Sequence, residues 1–105
     1  MSRERACAAS EVPEGGAHAV TVDGHRIAVV RCAGDLYAVG DICTHQRISL
    51  ADGDVLCSTK QIECWKHGSA FSLVTGEPSA LPATKPVPVF PVTVEGDDVY
   101  VEVPS

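Results

Sequence analysis

Two short cysteine–histidine pairs place the strongest constraint on how this chain can fold. The first pair is Cys43 and His45, and the second, after eighteen intervening residues, is Cys64 and His67. Thiolate sulfur and imidazole nitrogen are the protein ligands that commonly bind zinc and iron–sulfur clusters. Four such donors in two tight groups predict a metal site, and the chain must bring two loops together to form it.

The order of the four donors bears on which metal they hold. Most zinc fingers place two cysteines together and then two histidines, whereas here each pair supplies one of each. This interleaving suits two unlike metal positions, with each loop giving its cysteine to one and its histidine to the other. A [2Fe–2S] cluster with two thiolates on one iron and two imidazoles on the other has that composition. A structural zinc site in an interaction module is the alternative.

Alternation of apolar and polar residues predicts β-strands on both sides of the paired donors. Strands are expected over 17–22, 25–32, 36–39, 89–94 and 99–103. Asp23-Gly24 is a hairpin signal, because a type I′ turn needs positive φ at both positions. Residues 1–16 are expected to be a frayed lead-in, and no stretch has convincing helical periodicity. The first three strands should form an antiparallel meander.

Between the two groups of strands the alternation breaks into short apolar pieces and turns. The pieces lie at 55–57, 61–63 and 70–73. The chain of 105 residues is therefore predicted to be one all-β domain. Its base would comprise residues 1–41 and 83–105, and an insert over about 42–82 would carry the four donors.

Composition restricts the partners and the compartment. The net charge is −6, from 14 acidic and 8 basic residues, which argues against nucleic acid and anionic membranes as partners. No apolar run suits a signal peptide or a membrane span, so a cytoplasmic protein is expected. In that compartment the five cysteines are expected to be thiols or metal ligands before disulfides.

The three remaining cysteines are each given a plain interpretation. Cys7 lies in the lead-in and is expected to be an ordinary thiol. Cys32, at a strand end, is expected to be a small buried hydrophobic residue. Cys57 is expected to be a core residue, with an oxidation-sensitive thiol as the alternative.

From about Val12 to Val103 the chain resembles the Rieske ferredoxins. The resemblance is carried by Cys43-Thr44-His45, Cys64-Trp65-Lys66-His67-Gly68-Ser69, Gly76 after Phe71, and the exit Leu81-Pro82-Ala83-Thr84-Lys85-Pro86-Val87-Pro88-Val89. It implies antiparallel sheets in a sandwich- or barrel-like base with a small cluster-binding subdomain. It also implies one [2Fe–2S] cluster per chain, with Cys43 and Cys64 on one iron and His45 and His67 on the other.

The resemblance also implies a role. Rieske ferredoxins are soluble one-electron carriers, which take electrons from a flavin-dependent ferredoxin reductase and pass them to the terminal oxygenase of a ring-hydroxylating or other multicomponent system. The form of the second motif is also similar to small Rieske proteins that serve iron–sulfur cluster assembly (SUF), which is the alternative role. No nucleophile motif, phosphate loop or dinucleotide fingerprint is present, so the chain is expected to be a carrier and not an enzyme.

Some positions depart from the pattern of the family. Trp65 stands where proline often follows the second cysteine, and it is expected either to pack the loop or to influence electron entry. Ile48 and Lys66 stand where the respiratory and photosynthetic relatives carry a disulfide. Ser69 retains a hydroxyl donor, whereas Phe71 replaces the tyrosine of the high-potential relatives.

We predict a reduction potential toward the low end of the Rieske range of roughly −150 to +300 mV. Hydrogen bonds to the cluster or its thiolates stabilise the reduced, more negative form and raise the potential. Phe71 has no hydroxyl to donate such a bond, and the disulfide of the high-potential relatives is missing. Redox titration measures the potential, and a value near the upper end would contradict the prediction.

Overall fold

The computed structural model describes residues 2–42, 48–65, 69–79 and 85–103. Within these ranges the chain forms β1 Ser2–Ala8, β2 Ala17–Val22, β3 His25–Cys32, β4 Asp35–Gly40, β5 Asp54–Leu56, β6 Gln61–Glu63, β7 Ala70–Ser72, β8 Val89–Phe90, β9 Val92–Glu95 and β10 Asp98–Val103. Two 3-10 turns cover Ala9–Glu11 and Leu50–Asp52. No helix in the described ranges is long and apolar enough to span a membrane. The predicted all-β class is confirmed.

The strands make three sheets, in which each neighbouring pair is antiparallel. The outer sheet has the order β1-β10-β9, the middle sheet β2-β3-β4-β8, and the small sheet β5-β6-β7. The middle sheet contains the predicted meander. Its first turn has φ of 49° at Asp23 and 81° at Gly24, which confirms positive φ at both positions.

Strand β3 is buried on both faces. Ile27 and Val29 point into a core shared with the valines of β10, whereas Ala28, Val30 and Cys32 point into a second core. The second core is completed by residues of the small sheet and its flanking turns, including Leu50, Ile62, Cys64, Phe71 and Leu73. Because both faces are covered, β3 has an almost continuous apolar sequence. The middle sheet therefore separates an outer core from a core beneath the small sheet.

The expectation of a frayed lead-in is wrong. Residues 2–8 form β1, which pairs with β10 and carries Cys7 into the outer core at 3% exposure. Val12 follows in the same core. The sequence of β1 shows no clear apolar–polar alternation, because the strand buries few large side chains. Its register with β10 also shifts between Arg5 and Cys7. Exposed ion pairs to Glu95 and Asp98 hold its polar face.

The small sheet coincides with the short apolar pieces of the predicted insert. Each of its strands has three residues, in the registers Val55 opposite Ile62 and Ile62 opposite Phe71. Strands this short are marginal by themselves. The sheet therefore depends on the apolar core that it shares with the middle sheet.

The expectations for Cys32 and Cys57 need correction. Both belong to the core beneath the small sheet, as expected, but they are joined in a disulfide with a Cα–Cα distance of 5.4 Å. Spacing in the sequence gave no sign of this pair, because the end of β3 meets the turn after β5 only in the folded protein. Cys7 is a buried free thiol, and burial, followed by the nearby Glu11 carboxylate, raises its pKa.

We predict that deleting residues 2–8 lowers the free energy of unfolding by about 2 kcal/mol or more, since ladder hydrogen bonds contribute about 0.5–1.5 kcal/mol each. The deletion also exposes the edge of β10 and the outer core. Chemical denaturation measures the loss. Glu4→Ala, which removes an exposed side chain and keeps the ladder, is the control. Equal stability of the deletion variant and the full chain would show that β1 contributes nothing.

Candidate metal centre

The second ligand loop begins and ends in the small sheet. Cys64 follows β6, Ser69 precedes β7, and both are fully buried. The Cys64 N–H donates a 2.7 Å hydrogen bond to the Ser69 carbonyl, which closes the base of the loop. His67 lies outside the described residues, between these two anchors. The hydrogen bond holds the two ends of the loop at the edge of the small sheet.

The first ligand loop has a similar closed base, although Cys43 and His45 themselves lie outside the described residues. Ile42 and Ser49 form an isolated antiparallel bridge across the loop. The Leu50 N–H donates a 2.6 Å hydrogen bond to the Asp41 carbonyl. Residues 41 and 50 are thereby brought together, and the two predicted ligands lie on the loop between them.

A buried carboxylate organises the base of this first loop. Asp41 is 0% exposed, and its carboxylate accepts from the Ser49 hydroxyl at 2.7 and 2.8 Å and from the Ala51 N–H at 3.0 Å. Arg26 of β3 donates to the same carboxylate at 2.9 Å. A buried charge is stable when it is paired and hydrogen-bonded in this way. Asp41 therefore ties both ends of the loop to the middle sheet.

Sequence reasoning missed the role of Asp41. The available signal was an acidic residue two positions before Cys43, at the end of an apolar strand. Acidic residues at strand ends are usually solvated, so the position by itself does not indicate burial. Its partners at 49 and 51 become visible only when the loop has closed.

Gly53 brings the two loops close to each other. A Cβ placed on Gly53 would lie 1.9 Å from the Glu63 carbonyl oxygen and 3.3 Å from the Trp65 nitrogen. The chain that leaves the first loop thus packs directly against the backbone on either side of Cys64. Only glycine permits so close an approach, which places the segment after the first loop next to the start of the second.

The side chains next to the predicted ligands have contrasting environments. Phe71 is fully buried in the core with Cys64, so the position of the missing hydroxyl is filled by an apolar ring. Trp65, by contrast, is 57% exposed, and Ile42 is 39% exposed. The expectation that Trp65 either packs the loop or influences electron entry stays a prediction. Ile48 packs against the core, while Lys66 lies outside the described residues.

The donor chemistry fits an iron–sulfur cluster. A buried cysteine at the edge of a small sheet, on a loop that also contains a histidine, can supply a thiolate shielded from water. Within the described residues no group of three or more His, Cys, Asp or Glu side chains could hold a different metal ion.

An antiparallel β-fold with two Cys/His pairs in its sequence, the second of which starts at the buried Cys64, is typical of proteins that hold a metal cluster. The model of the Rieske [2Fe-2S] domain family matches residues 2–91. The chain belongs to this family, and the choice between zinc and [2Fe–2S] that the four donors left open is answered in favour of [2Fe–2S].

Relatives and solved structures agree with this assignment. The chain is 38% identical over 106 aligned residues to the 3-phenylpropionate/cinnamic acid dioxygenase ferredoxin subunit of Escherichia coli (strain K12), covering 100% of this chain and 97% of that protein. It superposes with a TM-score of 0.89 on the ferredoxin of carbazole 1,9a-dioxygenase from Nocardioides aromaticivorans IC177, at 32% identity, covering 96% of this chain and 97% of that one. In a complex of reduced oxygenase and oxidised ferredoxin in carbazole 1,9a-dioxygenase, the matched chain is 39% identical with a TM-score of 0.84, covering 94% of this chain and 91% of that one.

In each comparison the similarity extends over nearly the full length of this chain and of the matched protein. The chain is accordingly a Rieske-type ferredoxin, an electron carrier with one [2Fe–2S] cluster and not itself an enzyme. When bound, such a cluster accepts and releases one electron at a time. The protein supplies the ligands, the shielding and the surface through which a partner approaches.

We predict that Asp41→Asn lowers the free energy of unfolding by about 2–3 kcal/mol, because an amide nitrogen then faces a donor where an oxygen accepted hydrogen bonds. The loop that carries Cys43 and His45 should also lose its single arrangement, which electron paramagnetic resonance of the reduced protein would show as a broadened signal. Asp23→Asn is the matched control, since it makes the same change at an exposed carboxylate in the turn between β2 and β3 and leaves every partner of Asp41 in place. An unchanged signal in Asp41→Asn would contradict the prediction.

We predict that Gly53→Ala disrupts cluster binding. The added Cβ requires the backbone at Glu63 to move, and overpacking of this kind costs about 1–3 kcal/mol. Visible absorbance per chain measures the cluster that remains. Gly96→Ala is the control, because Gly96 has φ of 63° with nothing within 4 Å of the added Cβ, in the outer sheet. It should lower stability by about 1 kcal/mol and retain the cluster. Equal cluster content in the two variants would contradict the prediction.

Proposed function

We propose that Cys43 and Cys64 bind one iron of the cluster and that His45 and His67 bind the other, with residues 42–82 forming the cluster-binding unit. The proposal is supported by the crossed order of the four donors and by the buried position of Cys64. It is also supported by the packing of Gly53 against the backbone around Cys64, since this contact brings the two loops together.

We propose that the protein passes single electrons from a flavin-dependent ferredoxin reductase to the terminal oxygenase of a ring-hydroxylating system in the cytoplasm. The observation that carries this proposal is the full-length similarity to ferredoxin subunits of dioxygenases, one of them at 38% identity. The ferredoxin matched at 39% identity belongs to a complex with its oxygenase. These relatives favour an oxygenase partner over the iron–sulfur cluster assembly pathway.

The end of the molecule that carries the ligand loops offers a surface for such a partner. Ile42 immediately precedes Cys43 and Trp65 immediately follows Cys64, and both side chains are exposed. Exposed aromatic residues are common at the centre of protein interfaces. The net charge of −6 suits a basic patch on the partner, which would guide the encounter.

Reconstitution tests the proposed function. The chain is combined with an NADH-linked flavin reductase and a ring-hydroxylating oxygenase, and substrate hydroxylation is measured with and without the chain. Turnover should require the chain and should be lost with Cys64→Ser, while the reductase still reduces an artificial acceptor. A reduced chain that transfers electrons to no oxygenase tested, yet supports cluster assembly on an apo-protein, would assign the alternative role.

We predict that Trp65→Ala raises the KM of the oxygenase for this ferredoxin about fivefold to tenfold, as truncation of an interface aromatic typically costs more than about 1 kcal/mol. The reduction potential should change little, because the ligands remain. Val94→Ala is the matched control, since Val94 is an apolar residue of β9 with 46% exposure in the outer sheet. Equal effects of the two substitutions would show that Trp65 does not contact the partner.

A further inference from the structure

The disulfide between Cys32 and Cys57 joins the middle sheet to the small sheet. Cys32 ends β3, and Cys57 directly follows β5. Both pack with the core that contains Cys64, Ile62 and Phe71. The bond is therefore the covalent link between the scaffold and the sheet from which the second ligand loop emerges, and neither cysteine is among the proposed ligands.

The two sulfur-bearing residues differ in their access to solvent. Cys32 is 2% exposed, whereas Cys57 is half-buried and is followed by the exposed turn residues Ser58, Thr59 and Lys60. Attack on a disulfide requires that a thiolate reach one sulfur along the S–S axis, so access decides which sulfur reacts. Of the two residues, Cys57 is thus the one that a small thiol would approach, from the side of the exposed turn, while the core covers Cys32.

The expected compartment makes this asymmetry consequential. Disulfides in the cytosol are usually transient or redox-sensing, because small thiols keep most cysteines reduced. We propose that the Cys32–Cys57 disulfide is a thiol-exchange site at which a small monothiol modifies Cys57, and that its opening loosens the small sheet and the cluster that it supports. The last part of this inference rests on the proposed function; the exchange itself does not.

The exchange balances as two substitutions at sulfur. The thiolate of the small thiol forms a bond to the Cys57 sulfur, the bond to Cys32 breaks, and Cys32 leaves as a thiolate that takes up a proton. A second small thiolate then attacks the sulfur of the small thiol in the adduct. The bond to Cys57 breaks, and Cys57 leaves as a thiolate that also takes up a proton. Over both steps the protein gains two electrons and two protons, and the small thiol is oxidised to its own disulfide.

Opening the bond removes the covalent constraint that acts on the small sheet together with the shared apolar core. The strands of the small sheet have three residues each, and the disulfide closes a segment with a sequence separation of 25 that contains the whole first ligand loop. Releasing such a closure increases the freedom of the segment. A thiol adduct on Cys57 also adds bulk against the core. Both effects act on the sheet that positions Cys64.

Glutathione is the probe for the exchange. The cluster-loaded protein is incubated anaerobically with reduced glutathione, unreacted thiols are alkylated, and peptides are mapped by mass spectrometry. The expected result is a glutathione adduct on Cys57, with Cys32 alkylated and Cys7 unchanged from the untreated protein. An adduct on Cys32, a disulfide that stays closed (no adduct and no newly alkylated Cys32 or Cys57), or Cys32 and Cys57 both alkylated in the protein before treatment would overturn the exchange site.

Hydrogen exchange of the backbone amides of β5, β6 and β7 tests the loosening without reference to the cluster. Glutathione should accelerate this exchange several-fold in the small sheet and leave the outer sheet unchanged. The half-life of the visible absorbance should shorten in parallel. Unchanged amide exchange in the small sheet after adduct formation would overturn this part of the proposal.

Two variants distinguish cluster loss caused by opening of the Cys32–Cys57 disulfide from cluster loss caused by direct attack of glutathione on the cluster. Cys32→Ala/Cys57→Ala should show fast small-sheet exchange and fast cluster loss without glutathione, and neither rate should respond to its addition. Cys7→Ala, in the outer core, should behave as the unsubstituted protein does. A glutathione-dependent loss of cluster in the double variant, equal to that in the unsubstituted protein, would overturn the role of the disulfide. Absence of any cluster signal in the unsubstituted protein would instead count against the proposed function, and the mass and hydrogen-exchange results would still decide the inference.

Discussion

Burial of β3 on both faces is the constraint on which the rest of the structure depends. Ile27 and Val29 complete the outer core with the valines of β10, and Ala28 and Val30 complete the core beneath the small sheet. One strand of eight residues thus joins the two layers, because each of them buries its apolar face against it. The small sheet can have three-residue strands because the apolar surface it needs is supplied by β3.

The bases of both ligand loops are packed or hydrogen-bonded to the rest of the fold. Cys64 is part of the core, and its backbone is closed onto Ser69 and packed against Gly53. The first loop depends on polar contacts instead, since Asp41 gathers Ser49, Ala51 and Arg26 around one buried carboxylate. Each loop therefore has a rigid base of a different chemical kind. Metal binding and folding are coupled in such a site, because loss of either base releases ligands.

Exposed and buried residues beside the predicted ligands have different expected roles in electron transfer. Trp65 and Ile42 are exposed beside the two loops, where a partner could approach within a short distance of the cluster ligands. In the interior, Phe71 packs in the core with Cys64 and carries no hydroxyl, which is the basis of the predicted low reduction potential.

The sequence by itself predicted the four ligands and the all-β class, because both predictions follow from local patterns: paired donors at short spacing, period-two alternation, and the Asp23-Gly24 turn. It also located the three short pieces of the small sheet. Tertiary structure alone decided the features that join distant segments. These are the pairing of β1 with β10, the burial of Asp41, the close approach at Gly53 and the Cys32–Cys57 disulfide. Each requires residues from separate segments to meet, and neither composition nor periodicity records which ends of which strands become neighbours.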